Sequence, residues 1–312
     1  MALITRRGVL RAGAGLLTGG AATAAYAVTI EPGFRLVVTR YDVALADWGD
    51  RPPLTICVTT DLHAGEPWMT MDRVHGIVDA ANAVRPDLHV VLGDLPAHHR
   101  FVTRRLPMAA VARAMAGLRA PMGTFAILGN HDWWDDPLAH RGRPPAIRGL
   151  LEGAGVPVLA NTAVPLRHGD GVWLLGTDSA LAYGRRWPGA DDLRAALAPV
   201  QGDWPAILLA HEPDIFPRVP ARVGLTLSGH THGGQVRVLG RSAVVPSRYG
   251  NRYAYGLVQE RDRQLVVSAG LGCSLLPVRL GVPPELTVVR VDGRGNRRSL
   301  HSDRQPPLSR EA

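Results

Sequence analysis

The sequence predicts one layered α/β domain whose second half is mainly β. Three observations predict it. The first half alternates short apolar β-branched runs with stretches of helical spacing. Beyond residue 200 the apolar runs follow one another with Gly- and Pro-rich turns between them. Apolar residues make up 46% of the 312 positions and charged residues 20%, enough for a sizeable core and incompatible with a disordered chain. Neither an internal repeat nor a composition-shifted linker divides the chain.

Taken in order, Phe34 to Leu45 reads as an opening strand or hairpin and Leu54 to Thr60 as a strand. Met71 to Val84 places Val74, Ile77, Val78, Ala81 and Val84 on one helical face, stopped by Pro86. A strand follows at His89 to Leu92, a helix at Met108 to Leu118 and a strand at Phe125 to Leu128. Ala146 to Ala154 is helical, Val156 to Leu159 extended, Val172 to Leu175 a strand and Asp191 to Leu197 a short helix opened by acids. Ile207 to Ala210, Gly224 to Leu227, Leu265 to Ser268 and Leu286 to Val291 complete the strands.

Composition excludes several function classes. Two cysteines, Cys57 and Cys273, are too few for a disulfide scaffold or a Cys-rich metal protein, and their pairing does not follow from sequence. All 35 basic residues are arginine, which removes lysine Schiff-base and P-loop chemistry. The formal charge is +8, but Arg6, Arg7 and Arg11 sit near the start and residues 293–312 hold a net three more. The body is left nearly balanced, so no dedicated nucleic-acid surface is expected.

Arg6 and Arg7 form a twin-arginine pattern ahead of an uncharged stretch from Ala12 to Ala27 that ends in Ala25-Tyr26-Ala27, a small-residue cleavage pattern. Residues 1–27 are therefore expected to be a twin-arginine export signal or an uncleaved N-terminal anchor, 28–292 the layered α/β domain and 293–312 a flexible Arg/Pro-rich tail. The expected location is exported, periplasmic or membrane-associated.

Five strands end in polar clusters: Asp61-Leu62-His63, Gly93-Asp94, Gly129-Asn130-His131-Asp132, His211-Glu212, and Gly229-His230-Thr231-His232. Ligands of open α/β sheets bind beyond the carboxyl ends of strands. Imidazole, carboxylate and amide oxygen suit borderline or hard divalent metals such as Mn, Zn and Fe. Asp61, His63, Asp94, Asn130, His211, His230 and His232 are seven side chains, too many for one four-coordinate ion. Two ions sharing a carboxylate, about 3.5–4 Å apart, use them all and suit phosphoryl displacement.

These motifs, in this order, resemble the calcineurin-like metallophosphoesterase superfamily. The segment from Gly270-Leu271-Gly272 to Pro277-Val278-Arg279 and Pro283-Pro284-Glu285 resembles its bacterial exported or membrane-associated branch. The resemblance implies a four-layer α/β/β/α sandwich. It implies two divalent metal ions, one held by Asp61, His63 and His232, the other by Asn130, His211 and His230, with Asp94 between them. It implies attack by metal-activated water, and His131 facing the phosphate as general acid with Asp132 orienting its ring. One departure stands out: members often carry a second Asp soon after the Gly-Asp pair, where this chain has Leu95-Pro96-Ala97-His98-His99.

Other residues leave alternatives open. Arg279 suits a substrate phosphate or a structural ion pair. Trp133 and Trp134 either wall the substrate cleft or pack beneath the loop. His98 and His99 sit at the pocket rim or in solvent. The expected reaction is hydrolysis of a phosphodiester or pyrophosphate in a phosphorylated small molecule or lipid. The alternatives are a UDP-2,3-diacylglucosamine-type pyrophosphate hydrolase and a non-catalytic metal-binding protein on the same fold. Expected partners are the substrate, the twin-arginine export machinery and a membrane.

Overall fold

The computed structural model describes residues 17–134, 136–184 and 188–293. The twin arginines and residues 294–312 of the tail lie outside them.

Two sheets face each other. The strands are β1 (Val37–Ala44), β2 (Leu54–Thr59), β3 (Gly65–Glu66), β4 (Leu88–Val91), β5 (Arg104–Arg105), β6 (Thr124–Ala126), β7 (Thr162–Leu166), β8 (Val172–Gly176), β9 (Ala206–Leu209), β10 (Leu225–Ser228), β11 (Gly256–Glu260), β12 (Arg263–Val267) and β13 (Glu285–Asp292). The first sheet runs β1-β13-β2-β4-β6 and the second β11-β12-β10-β9-β8-β7, while β3 and β5 form a small ribbon. Within the first sheet β2, β4 and β6 are parallel; within the second, β8, β9 and β10 are.

Strand alternation explains the layering. Leu54, Ile56, Val58, Leu88 and Val90 point one way and meet Leu174, Ile207, Leu209, Leu225 and Leu227 of the other sheet. Each such residue, fully withdrawn from water, contributes about 1.5–3 kcal/mol. The opposite face of the first sheet, with Cys57, Val91 and Ala126, receives helices α1 (Met71–Ala83), α2 (Met108–Met115) and α4 (Ala146–Gly153) through Val74, Ile77, Val111, Met115, Ile147 and Leu151. Between α2 and α4 in sequence lies the five-residue α3 (Asn130–Trp134). The outer face of the second sheet is covered by the 3₁₀ turn Pro213–Arg218 and by α5 (Leu193–Leu197). This is the α/β/β/α sandwich.

Besides the two-residue β3 and β5, two strands were not foreseen. β7 contains Pro165, and a proline within a run argues against a strand. It survives as the edge of its sheet. β11 is the opposite edge and pairs antiparallel with β12. Val156 to Leu159 makes only an isolated bridge, Ala126 to Val158, rather than a strand. Cys57 and Cys273 are both buried and free.

The N-terminal segment is helical over residues 17–34, with Tyr26–Ile30 wound as a π-helix. Ala27, the end of the expected cleavage pattern, is buried, and its carbonyl accepts from the Arg279 N–H at 2.9 Å. Glu31 is buried too and accepts from the Val282 N–H at 2.8 Å. Among the described residues no helix is long and apolar enough to cross a membrane.

Candidate metal centre

The carboxyl ends of β2, β4 and β6 meet those of β9 and β10 along one edge of the sandwich. This brings together residues 169 positions apart, as His230 N–H donates to Asp61 Oδ1 and Oδ2 at 3.0 Å. All seven expected ligands are buried there. Three groups of potential ligand atoms lie within 4.8 Å of one another: Asp61, His63 and His232; Asp94, His211 and His230; and His63, Asp94 and His131. Asn130 joins the second group through Oδ1, 2.8 Å from His230 Nδ1.

The backbone is forced into this shape. Asp61, His63, Asp94, His230 and His232 all have φ between 44° and 69°, a region that side-chain-bearing residues avoid. Such strain gathers where a loop must aim a functional group. Gly129 is required: a Cβ there would lie 2.3 Å from Asp94 Oδ1 and 2.7 Å from His211 Cε1.

Three backbone carbonyls fix the tautomers. His63 Nδ1 faces Pro96 O at 3.2 Å, His211 Nδ1 faces Leu92 O at 2.6 Å and His230 Nε2 faces Pro246 O at 3.0 Å. A nitrogen facing a carbonyl must carry the proton, so in the neutral ring the other nitrogen presents a lone pair inward. These lone pairs meet other electron-rich atoms. His63 Nε2 is 3.0 Å from His232 Nε2 and 3.7 Å from Asp94 Oδ2. His211 Nε2 lies 3.2 Å from Asp94 Oδ2. His232 Nε2 lies 3.4 Å from Asp61 Oδ1. So many imidazole nitrogens and carboxylate oxygens crowded within ligand distance of one another suit cations, and this donor set fits divalent metals.

Protonation equilibria agree. Burial holds His63 and His232 well below the ordinary imidazole range, and burial with the neighbouring His211 brings His230 to about 3. These rings are neutral, the ligand form. Burial works against the His211 charge too, but Asp94 and Asp61 outweigh it and raise that ring well above its usual value. Burial would likewise raise Asp94, but His211, His131 and His63 hold it well below the carboxylate norm. Burial raises Asp61 to about 6. The carboxylates thus draw positive charge to the centre.

His131 lies at the outer side. Its backbone N–H donates to Asp94 Oδ1 at 2.8 Å, its Nδ1 has no partner among the described residues, and its Nε2 is 3.4 Å from Ser274 Oγ. Its ring stacks on His98 at 4.8 Å and leans on Trp134 at 4.8 Å. His98 therefore belongs to the pocket rim, standing near the place where the resemblance leads one to expect an acid. Ser274 was not foreseen; its one sequence signal is its place in the Gly270 to Arg279 segment.

Two expected roles do not match the geometry. Asp132 does not orient His131. Its carboxylate accepts from the N–H groups of Asp94 (2.8 Å), Gly129 (2.8 Å) and Leu95 (3.1 Å), tying two strand-end loops together. Adjacent residues on a helix do not face each other, so Asp132 points away from the ring beside it. Arg279 cannot reach a substrate phosphate, because it is fully buried behind His232. Its guanidinium donates to the carbonyls of Gly272 (2.5 Å), Ala269 (2.8 Å) and Val282 (3.0 Å), and Nη2 lies 3.2 Å from His232 Nδ1. Trp133 is buried with its indole N–H on Asp178 Oδ1 at 2.7 Å. It nevertheless lines, with Trp134, Ala182 and Tyr183, a cavity of about 360 Å³.

A sandwich with imidazoles and carboxylates converging at the strand ends defines a metal-dependent phosphoesterase. The comparisons agree: the description calcineurin-like phosphoesterase matches residues 54–234, and the chain belongs to that family, a hydrolase of phosphoric esters. It is 29% identical over 304 residues to the uncharacterized metallophosphoesterase YkuE of Bacillus subtilis, spanning 92% of this chain and 98% of that one. It is 28% identical over 295 residues to the phosphodiesterase YaeI of Escherichia coli, spanning 93% and 100%. A transmembrane protein with metallophosphoesterase domain from Bos taurus is 32% identical over 246 residues, 75% of this chain but 52% of that protein.

Proposed function

We propose that the chain is a dinuclear phosphodiesterase acting outside the cytoplasm, using two divalent ions of manganese, zinc or iron. Asp61, His63 and His232 hold one ion, Asn130, His211 and His230 the other, and Asp94 serves both. The observation that carries this is the set of inward lone pairs fixed by the carbonyls of Pro96, Leu92 and Pro246. Such ions supply a nucleophile from water near neutral pH and neutralise the phosphate. His131 Nε2 faces the mouth, where it delivers a proton to the departing oxygen, with Ser274 Oγ beside it. Trp134 and His98 hold that imidazole between them and shield it from water. The diester preference is supported by the name of the Escherichia coli relative, and export by Arg6-Arg7 and the uncharged segment after it.

The test is metal content by elemental analysis with hydrolysis of bis-(p-nitrophenyl) phosphate and of the matching monoester. The wild type should carry about two ions per chain and prefer the diester. Asp94→Ala should lose both ions together and nearly all turnover. Activity that survives in Asp94→Ala, or in chelated and dialysed protein, would overturn the reading.

A further inference from the structure

Several large apolar side chains stand in water together at the lip of the metal centre. Leu239 is 98% exposed, Leu275 78%, Val244 76% and Val238 62%, with Leu276 beside them. Single exposed hydrophobes are ordinary, but several on one patch mark an interaction surface. Hydrogen bonds sew their loops together. The Gln235 side-chain amide donates to Leu276 O at 2.8 Å and Val278 O at 3.0 Å, and Arg237 N–H donates to Leu280 O at 2.8 Å. The Gly234 N–H donates to Thr231 O at 2.7 Å, and a Cβ on Gly234 would meet Val244 O at 2.7 Å, which seats Val244 against the same turn. Ser274, next to Leu275, is the residue that touches His131.

Charge identifies what covers the patch. From His230 to Gln259, and again from Ala269 to Pro284, the sequence contains no acid. Arg237, Arg241 and Arg248 lie in the first stretch, and Arg241 is exposed with no ion pair among the described residues. The nearby acids are engaged elsewhere: Asp214 accepts from Ser247 Oγ and the Arg248 N–H, and Glu260 pairs with Arg252. A second copy of the chain would set arginine against arginine. An interface that is apolar at its tips and anionic above them is the surface of a bilayer with acidic headgroups. The N-terminal helix agrees, for it is fastened to this same edge through Ala27 and Glu31, and residues 17–25 leave it exposed and uncharged.

We propose that the lip formed by Val238, Leu239, Val244, Leu275 and Leu276 docks on an anionic bilayer and holds the metal centre at the level of the headgroup phosphates. The substrate class that follows, a diester at the lipid surface, rests on the phosphodiesterase reading; the docking does not.

The experiment uses the full chain, co-sedimented with phosphatidylcholine vesicles with and without phosphatidylglycerol, at low and high salt. Hydrolysis of bis-(p-nitrophenyl) phosphate is read in the same samples. The wild type should bind the phosphatidylglycerol vesicles and release from them as salt rises. The double variant Leu239→Asp/Leu276→Asp should bind roughly tenfold or more weakly, because apolar insertion is lost, while its soluble hydrolysis is unchanged. Equal binding by the double variant would assign the affinity to residues 1–30 and overturn the proposal. So would absence of vesicle binding, or a dimer in light scattering that the double variant dissociates. Vesicle binding without any diester hydrolysis by the wild type would leave the docking standing and remove the phosphodiesterase reading.

Discussion

The floor and the lip of the cleft are built by opposite rules. On the floor the side chains are aimed by fixed backbone neighbours: carbonyls behind His63, His211 and His230, and backbone amides around Asp61, Asp94 and Asp132. Its strained φ angles persist because the two sheets beneath over-determine them. A few residues away, the lip leaves leucines and valines in water with little to hold them. The floor is where chemistry is fixed and tolerates no displacement. The lip leaves the reacting atoms alone and governs where the cleft is presented.

The largest effect that tests this division comes from His131, which stands at the boundary. His131→Ala should retain both ions and lose turnover by about 10²–10⁴-fold, the usual range for a general acid. Metal analysis beside kcat reads it; ion loss together with rate would move His131 into the floor.

Next in size is Arg279, which supports the floor without touching the mouth. Replacing it with Leu leaves buried carbonyls of Ala269, Gly272 and Val282 without donors, at about 1–3 kcal/mol for each unsatisfied group. Urea denaturation should show a destabilisation of a few kcal/mol. Metal affinity should fall about 10–100-fold through His232, as is usual when a group behind a ligand is removed. A stable variant whose KM alone rises would return Arg279 to the substrate.

The smallest effect compares histidines at equal depth. His89 is fully buried in β4, and neither ring nitrogen makes a well-aligned hydrogen bond among the described residues. Burial lowers its pKa to about 4, only partly offset by the Arg119 backbone. The native ring therefore refuses a proton that the denatured chain accepts below about pH 6.5. Stability is lost as pH falls from there toward 4. His89→Leu should shrink the difference between denaturation midpoints at the two ends of that window, and an unchanged difference would refute the account. The metal-centre histidines share the depth but have carbonyls behind them and carboxylates in front.

The parts of the molecule legible in the sequence share a property: each is announced by local pattern. The seven expected ligands sit directly after apolar strand runs, and the helices at Met71 and Ala146 show their buried faces by spacing. Misreadings arose where direction or depth mattered. Asp132 follows His131 in sequence, but the helical turn between them sends its carboxylate to other loops. Arg279 carries charge in a loop, which reads as exposed until His232, Val282 and the Ala269 to Gly272 turn close over it. The edge strand β7 was hidden by its proline.

The sequence by itself determined the donor chemistry and the layered α/β architecture, because residue type and strand or helix periodicity are properties of short stretches. Tertiary structure alone decided which nitrogen of each imidazole faces inward, that Arg279 lies behind His232, and that the exposed leucines ring the cleft. Those facts depend on carbonyls and side chains contributed by segments far away in sequence, 169 positions for His63 and His232, whose places exist only once the two sheets have closed on each other.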